Sequence, residues 1–228
     1  NDIVVTQSNL KDAVQIQQMR QLVDQGVDGL IVCCSNPVAL NPTIEYAYNQ
    51  GVPTASMTGY LTSEYAISTS VNYAMAGYNI ATWLAETIGG EGNVIIMEGI
   101  PGASASDSQH AGMKAGFAEY PDITIVAEIA HMWTPQIAQA ELQKWLSANT
   151  TQVDGLAVQS SGESGALNAL ESSGRPMVPM ALGGEIGAFC YWRNNPDFID
   201  RAIYAWPPGD DAEFAMNVLL RTMQGQGL

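Results

Sequence analysis

The sequence is poor in positive charge. Eight Lys and Arg residues stand against 23 Asp and Glu residues in a chain of 228, which gives a net charge of −15. The pI is near 4.2. A surface of this charge repels nucleic-acid phosphates and anionic lipid. Charged residues make up only 14% of the chain, below the ~25% usual for soluble domains. We therefore expect an acidic, soluble, folded protein that binds no nucleic acid.

Cysteine and histidine are also scarce. Three cysteines cannot build a disulfide framework, and Cys33 and Cys34 are adjacent in an apolar run, where their side chains would point to opposite faces of a strand. We predict buried thiols at these two positions and at Cys190. Both histidines are far from the cysteines in the sequence, so we predict no metal site and no cofactor.

The patterns that mark membrane spans, nucleotide sites and serine hydrolases are missing as well. No run approaches the ~20 apolar residues of a transmembrane helix. Gly99-Ile-Pro-Gly102 follows a predicted strand but lacks the glycine order of a dinucleotide-binding loop. No Gly-x-Ser-x-Gly sequence is present, so the nucleophile elbow of a hydrolase is absent. We therefore expect a protein that is not an enzyme.

Apolar runs alternate with helical patterns along the whole chain. The predicted strands are Ile3–Thr6, Leu30–Cys34, Val52–Met57, Ala66–Val71, Asn93–Glu98, Ile123–Ile129, Gly155–Gln159, Val178–Leu182 and Ala202–Trp206. The predicted helices are Lys11–Gln25, Pro42–Gln50, Ala74–Thr87, Gln109–Glu119, Pro135–Ser147, Ser164–Ser172 and Asp210–Met223. Strands that alternate with helices of about 10–15 residues indicate βαβ units, so the sequence predicts an α/β fold with parallel sheets.

Two tryptophans fall at the carboxyl ends of predicted strands, where ligands bind in open α/β sheets. They are Trp133 and Trp206. Flat aromatic faces cover the C–H surface of a sugar ring and leave its hydroxyls free for hydrogen bonds. Trp83 and Trp145 fall inside predicted helices at apolar spacing, and we predict that they pack in the core.

Carboxylates lie at strand and helix ends. Glu185 comes shortly after the strand Val178–Leu182, where it could accept a hydrogen bond from a ligand or cap a helix, and both interpretations stay open. Asp210 and Asp211 begin a predicted helix, where acidic side chains cap the backbone and favour the helix dipole.

Several short motifs occur in a characteristic order. They are Val52-Pro53, Asn72-Tyr73 before Gly77, Gly99-Ile-Pro-Gly102, Gly112-Met-Lys-Ala-Gly-Phe117 with Tyr120-Pro121-Asp122, and Met223-Gln-Gly225. Their order and spacing resemble the ribose-type periplasmic solute-binding proteins of ABC importers, along the chain from its first residue to its last. The resemblance implies a type I periplasmic-binding fold, in which two doubly wound parallel-sheet lobes are joined by a hinge and hold the ligand between them.

The resemblance also implies a domain division and partners. Residues 1–71 and 207–228 would form the first lobe, and residues 72–206 the second. The family has a strand and a helix before the position of Asn1 and further strands after Leu228, so we expect a chain truncated at both ends. A protein of this family is extracytoplasmic, and we expect a monomer that delivers a small sugar-like ligand to a membrane permease.

Carrying the family's ligand contacts over gives five candidate site residues. Thr58 and the following glycine stand where the family has Asp and Arg. Gln109 replaces an arginine that clamps sugar hydroxyls, and Trp133 keeps the aromatic platform. Glu185 corresponds to an Asp, and Trp206 to an amide near the hinge.

These departures replace charged groups with neutral ones, so fewer charge-assisted hydrogen bonds are available. We expect a neutral ligand that is flatter or less hydroxylated than ribose, held between Trp133 and Trp206. The alternative is the effector-binding domain of a LacI-type transcription regulator, which shares the fold. A basic DNA-binding motif ahead of Asn1 would indicate the regulator, and a signal peptide would indicate the binding protein.

Overall fold

The computed structural model describes residues 2–33, 36–182, 184–198, 201–203 and 208–226. The chain forms two compact units. Unit 1 comprises residues 1–71, 103–105 and 207–228, and unit 2 comprises residues 72–102 and 106–206. Among the described residues, no helix is both long and apolar enough to cross a bilayer.

Eight strands and eight helices are found in the described residues. The strands are β1 (Leu30–Val32), β2 (Thr54–Ser56), β3 (Ala66–Ile67), β4 (Glu91–Glu98), β5 (Asp122–Ala130), β6 (Gly155–Val158), β7 (Met180–Leu182) and β8 (Arg201–Ile203). The helices are α1 (Asp12–Asp24), α2 (Asn41–Asn49), α3 (Tyr73–Thr87), α4 (Ser104–Phe117), α5 (Pro135–Ala148), α6 (Glu163–Ser173), α7 (Ile186–Asn194) and α8 (Pro208–Met223).

Unit 1 contains a parallel sheet with the strand order β1-β2-β3. Helices α1 and α2 pack beside it, and α8 packs against β1 and β2. The core is built from fully buried side chains such as Leu40 and Ile44, together with Leu30 and Val32 of β1. Pro42 lies in the first turn of α2, where its missing N–H costs no helical hydrogen bond.

Unit 2 contains a parallel sheet with the strand order β5-β4-β6-β7-β8. Residues of β4 alternate between two cores, because Ile95 and Met97 pack with residues of α5 and α6, whereas Val94 and Ile96 pack with residues of α3 and α4. A sheet that is covered on both faces needs apolar side chains at every strand position. This explains the uninterrupted apolar run from Val94 to Met97. The α/β fold with parallel sheets is confirmed.

Three element predictions are wrong or incomplete. Residues 2–7 form no strand, and Ile3, Val4 and Val5 are exposed. β-branched residues favour an extended chain, but a strand also needs a neighbour to pair with. Helix α7 is missing from the predicted elements, because its mixed sequence has no clear apolar period. Helix α4 begins at Ser104, five residues before the predicted start.

The prediction of buried thiols is also wrong for the two cysteines in the described residues. Cys33 and Cys190 are both exposed, because β1 ends at Val32 and Cys190 lies on an outer face of α7. Cys34 lies outside the described residues. Trp83 and Trp145 are half-buried and pack against the two cores of unit 2, as predicted.

Candidate functional site

The carboxyl ends of the strands in unit 2 carry the polar and aromatic side chains of the candidate site. Parallel strands end at a common edge, and that edge is where open α/β sheets bind ligands. Gly99 follows β4, Trp133 follows β5 after a short turn, Gln159 follows β6, and Glu185 follows β7. Of these four residues, the sequence predicts Trp133 and Glu185 as site residues.

Trp133 lies in an unusual turn. Both Met132 and Trp133 have positive φ, at 55° and 50°, which is uncommon for residues with a side chain. The turn is held by a hydrogen bond from the Met132 N–H to the Gly99 carbonyl (3.1 Å). The indole lies directly on Gly99, because a Cβ on that glycine would overlap the indole nitrogen. The half-buried ring therefore stands at the strand ends with part of its surface accessible.

The side chain of Gln159 stabilises the structure beneath the Trp133 turn through hydrogen bonds to Gly99 and Ser106. The side chain is fully buried, and its oxygen accepts hydrogen bonds from the Gly99 N–H (2.9 Å) and the Ser106 hydroxyl (3.0 Å). Its amide nitrogen donates to the Ser106 carbonyl (3.0 Å). These bonds tie the ends of β4 and β6 to helix α4, which also carries Gln109. The role of Gln159 is not predictable from the sequence, because a glutamine at a strand end has no distinctive motif.

Gln109 is nearly buried, with 6% of its surface exposed. An amide offers two donors and an acceptor, so Gln109 can serve a ligand that presents hydroxyl groups.

Glu185 has both carboxylate oxygens engaged. One accepts a hydrogen bond from the Ser164 N–H (2.9 Å), and the other accepts from the Ser164 hydroxyl (2.6 Å). Ser164 lies in the first turn of α6, so Glu185 caps that helix and not its own helix α7. Each carboxylate oxygen can accept a further bond, and the residue is only half-buried. Its role as a ligand acceptor therefore stays a prediction.

A second carboxyl group lies behind Glu185. Glu163 is fully buried, and its Oε2 accepts a hydrogen bond from the Gly162 N–H (2.8 Å). Its Oε1 has no donor among the described residues. Burial, the largest cause, and the negative charge of Glu185 together raise the pKa of Glu163 to about 7.

His131 is a further buried polar group at this edge. Its ring is fully buried and lies on Gly162, where a Cβ would come within 2.7 Å of the ring. Neither ring nitrogen has a hydrogen-bond partner among the described residues. Burial lowers the pKa of His131 to about 4, so the imidazole is neutral at pH 7.

The other histidine is held by carboxylates. His110 Nδ1 lies 2.7 Å from Glu98 Oε2, and Nε2 lies 2.7 Å from Glu128 Oε2. Lys114 also contacts Glu128 at 2.9 Å, and its hydrogen bond is the main cause that lowers the pKa of Glu128. This group fastens α4 to β4 and β5. Within the described ranges, no group of three or more His, Cys, Asp or Glu side chains could hold a metal ion.

Unit 1 also has a cluster of polar side chains near the carboxyl ends of its strands. Thr58 follows β2 with φ at 67°, and its hydroxyl donates to Asp211 Oδ2 (2.8 Å). Asp211 lies in the first turn of α8, as predicted, and only 2% of its surface is exposed. Cys33 lies beside this pair, and partial desolvation followed by the negative charge of Asp211 raises the pKa of its thiol.

The structure thus places Gln109, Trp133 and Glu185 in unit 2 and Thr58 in unit 1. Trp206 lies outside the described residues. Ligand contact by these five residues stays a prediction.

The described part of the chain also has surface depressions away from these residues, and two of them are large. One of about 680 Å³ is lined by Ile88, Glu91, Gly92, Asp122 and Asp154, and the other of about 460 Å³ is lined by Asp28, Tyr48, Gly51, Pro53, Thr222 and Met223. The larger one lies at the amino ends of β4 and β5, opposite the edge at which parallel sheets bind ligands. The side chain of Asp154 in its lining already accepts a hydrogen bond from the Asn93 N–H (2.8 Å). The carboxyl ends of the strands therefore stay the candidate site.

Two curated proteins of known ligand are similar to this chain. The xylitol-binding protein of Mycolicibacterium smegmatis is 30% identical over 181 residues, which are 78% of this chain and 52% of that protein. The ribose import binding protein of Bacillus subtilis is 23% identical over 195 residues, which are 80% of this chain and 59% of that protein. The chain spans about half the length of the curated relatives it matches.

Solved structures share the fold. An ABC transporter solute-binding protein from Thermobispora bispora superposes with a TM-score of 0.89 at 24% identity, over 99% of this chain and 69% of that one. A galactofuranose-binding protein superposes with a TM-score of 0.88 at 16% identity, over 98% and 78% of the two chains. The type I periplasmic-binding fold is therefore confirmed.

A family model described as a periplasmic binding protein domain matches residues 1–227. The family consists of solute-binding proteins and not of enzymes, as expected from the sequence. The two curated relatives favour a solute-binding protein over a LacI-type regulator. The chain belongs to the periplasmic binding protein domain family.

Proposed function

We propose that the chain captures a small neutral polar solute, a sugar or polyol, for an ABC importer. The observation that carries this proposal is the half-exposed Trp133 ring at the carboxyl ends of the strands of unit 2, on the same edge as Glu185. An aromatic face beside hydrogen-bonding side chains suits a ring or chain of C–H groups that also carries hydroxyls.

The charges near the candidate residues support a neutral ligand. Glu185 and Asp211 are acceptors, whereas Thr58 and Gln109 are uncharged. The chain has a net charge of −15, which disfavours anionic solutes. Hydroxyl groups donate hydrogen bonds to carboxylates, so a polyol matches this set. The relatives named for xylitol and ribose bind ligands of this class.

Each candidate residue has a proposed role. Trp133 stacks on the C–H face of the ligand, Gln109 exchanges hydrogen bonds with its hydroxyls, and Glu185 accepts from them. Thr58 and Trp206 contribute from their own parts of the chain. The two units are the two lobes of the binding protein.

The proposed partner is the membrane permease of an ABC importer, and the proposed state is a monomer in an extracytoplasmic compartment. The periplasmic binding protein family supports the extracytoplasmic compartment. Size-exclusion chromatography with light scattering on the full-length protein tests the monomer, and an elution at twice the monomer mass would contradict it.

A thermal-shift screen of the full-length protein tests the ligand class. The panel contains xylitol, D-ribose, D-allose, myo-inositol, amino acids and nucleosides. A ligand present at 100 times its dissociation constant stabilises the folded state by ~2.7 kcal/mol, so a sugar or polyol should raise the Tm. A response to amino acids or nucleosides alone would contradict the proposal.

Variants then test the residues. We expect Trp133→Ala and Gln109→Ala to lower the affinity for the identified ligand at least tenfold, because one loses a stacking surface and the other a hydrogen-bonding amide. The exposed Gln136 on α5 provides the matched control, and Gln136→Ala should bind as the wild type does. Unchanged affinity in both site variants would exclude this edge as the binding site.

A further inference from the structure

We infer that Glu163 is a positioning residue for the proposed site. Its carboxyl group is protonated at neutral pH and donates a hydrogen bond to the Glu185 carboxylate. The two carboxyl groups would then carry one negative charge instead of two. The inference rests on the proposed function in one respect, which is that Glu185 contacts the ligand.

The hydrogen bonds around Glu163 indicate that its carboxyl group is protonated. Oε2 accepts from the Gly162 N–H, but the fully buried Oε1 has no donor among the described residues. The Glu185 carboxylate lies close by, because it is hydrogen-bonded to Ser164, the next residue along the chain, and, after burial, its charge contributes to the raised pKa of Glu163. Two carboxylates cannot hydrogen-bond to each other, and a buried anionic oxygen without a donor is costly. A single proton on Glu163 turns the unpartnered oxygen into a donor.

No nearby positive charge offers an alternative. The titratable groups that face Glu163 in the described residues are Glu185 and His131. His131 is fully buried and its pKa is lowered to about 4, so it is uncharged at pH 7. Helices α5 and α7 both pack against α6. Helix α5 carries no charged side chain before Glu141, and the one charged side chain of α7, Arg193, lies in its last turn, at the end away from Glu185. Burial and Glu185 therefore both favour the protonated form of Glu163.

The proton has a consequence for Glu185. Three donors then converge on its carboxylate, namely the Ser164 N–H, the Ser164 hydroxyl and the Glu163 O–H. Together they fix the orientation of a half-buried carboxylate and leave its outer lone pairs for ligand hydroxyls. Loss of the proton would place two negative charges side by side and turn the Glu185 carboxylate away from this orientation.

The variant Glu163→Gln removes the titrating proton and keeps the size and shape of the side chain. The amide keeps a donor toward Glu185 in a side chain of the same size, but it does not titrate. Glu141→Gln is the control, because Glu141 is an exposed carboxylate on α5 that pairs with Lys144. Both variants and the wild type are prepared as the full-length protein.

The first readout needs no ligand. Urea midpoints are measured from pH 5 to pH 8. The stability of Glu163→Gln relative to the wild type should rise between pH 5 and pH 7, where the unfolded wild type has lost the Glu163 proton and the native protein keeps it, and should level off above pH 7. The difference between Glu141→Gln and the wild type should stay constant. A constant difference for Glu163→Gln as well would overturn the inference, whatever the ligand results.

The second readout is the affinity for xylitol and for D-ribose by calorimetry from pH 6 to pH 9. Wild-type affinity should fall by about tenfold or more above pH 7 as the pair loses its proton, whereas Glu163→Gln should keep its affinity. Parallel pH profiles would overturn the positioning role. Failure of both ligands to bind any variant would refute the proposed function, and the urea profile would still decide whether Glu163 holds the proton.

Discussion

Thr58 donates a 2.8 Å hydrogen bond to the carboxylate of Asp211, which follows it by 153 residues. This bond joins the turn after β2 to the first turn of α8 in unit 1. It also provides a partner for a carboxylate of which only 2% is exposed. The carboxylate of Asp211 therefore lies beside Thr58, the position at which the sequence resemblance implied an Asp in other members of the family.

Removal of the Thr58 hydroxyl should destabilise unit 1. Thr58→Val keeps the side-chain shape at a positive φ but leaves Asp211 without this donor. An unsatisfied buried acceptor costs about 1–3 kcal/mol, and urea denaturation measures the loss. Thr58→Ser retains the hydroxyl and serves as the control. Equal stability of Thr58→Val and Thr58→Ser would show that the bond contributes nothing.

A side chain at position 99 should displace Trp133. In Gly99→Ala, the added Cβ would overlap the indole nitrogen, so the ring must move or the turn must open. We expect a stability loss of roughly 1–3 kcal/mol and a change in tryptophan fluorescence. Gly209→Ala is the control, because a Cβ at Gly209 meets nothing within 4 Å. A fluorescence spectrum like that of the wild type would contradict this placement of the ring.

Replacement of Gln159 should lower the free energy of unfolding more than replacement of most other polar residues. Gln159→Met keeps the approximate volume but removes two acceptor bonds and one donor bond. The buried Gly99 N–H loses its partner, so we expect a loss of about 3 kcal/mol in the free energy of unfolding. The exposed Gln136→Met should change it by less than about 0.5 kcal/mol. A loss for Gln159→Met as small as that of this control would contradict the bracing role.

Glu163 and His131 should shift stability with pH in opposite directions. The pKa of Glu163 is raised from 4.5 to about 7, so its protonated native form favours folding below pH 4.5, and this contribution is lost as the pH rises to 7. The pKa of His131 is lowered from 6.5 to about 4, so its contribution is complete above pH 6.5 and is lost as the pH falls to 4. Each contribution is about 3 kcal/mol.

The two contributions nearly cancel between pH 4.5 and pH 6.5, so variants are needed to separate them. Glu163→Gln should become less stable as the pH falls through this window, because only His131 still titrates. His131→Gln should become more stable over the same window. Urea midpoints at intervals of half a pH unit measure both slopes, and slopes of the same sign in the two variants would contradict the assignment.

Local patterns predicted the fold class well. The sequence predicted a strand over Asn93–Glu98, and the structure has β4 over Glu91–Glu98. The segment Ile3–Thr6 had a similar β-branched composition, yet it forms no strand. Composition reports the preference of a segment for an extended chain, whereas strand formation depends on a partner that the segment itself does not specify.

The candidate site was predictable only in part. Trp133 could be placed at the edge of a sheet, because it follows a recognisable strand. Glu163 and His131 could not be identified as perturbed groups, because their pKa values depend on burial by segments that are distant in the sequence. The contact between Thr58 and Asp211 is also non-local, and the helix-start pattern at Asp211 gave no sign of it.

Given the proposed stacking role of Trp133, its contact with Gly99 constrains how the ligand preference of the protein can change. Any residue with a Cβ at position 99 requires a smaller or differently placed side chain at position 133. Substitutions at position 133 alone meet no such barrier. Among homologues, new ligand preferences should therefore arise by changes at position 133 while glycine stays at position 99, and a larger residue at position 99 should occur only with the tryptophan replaced.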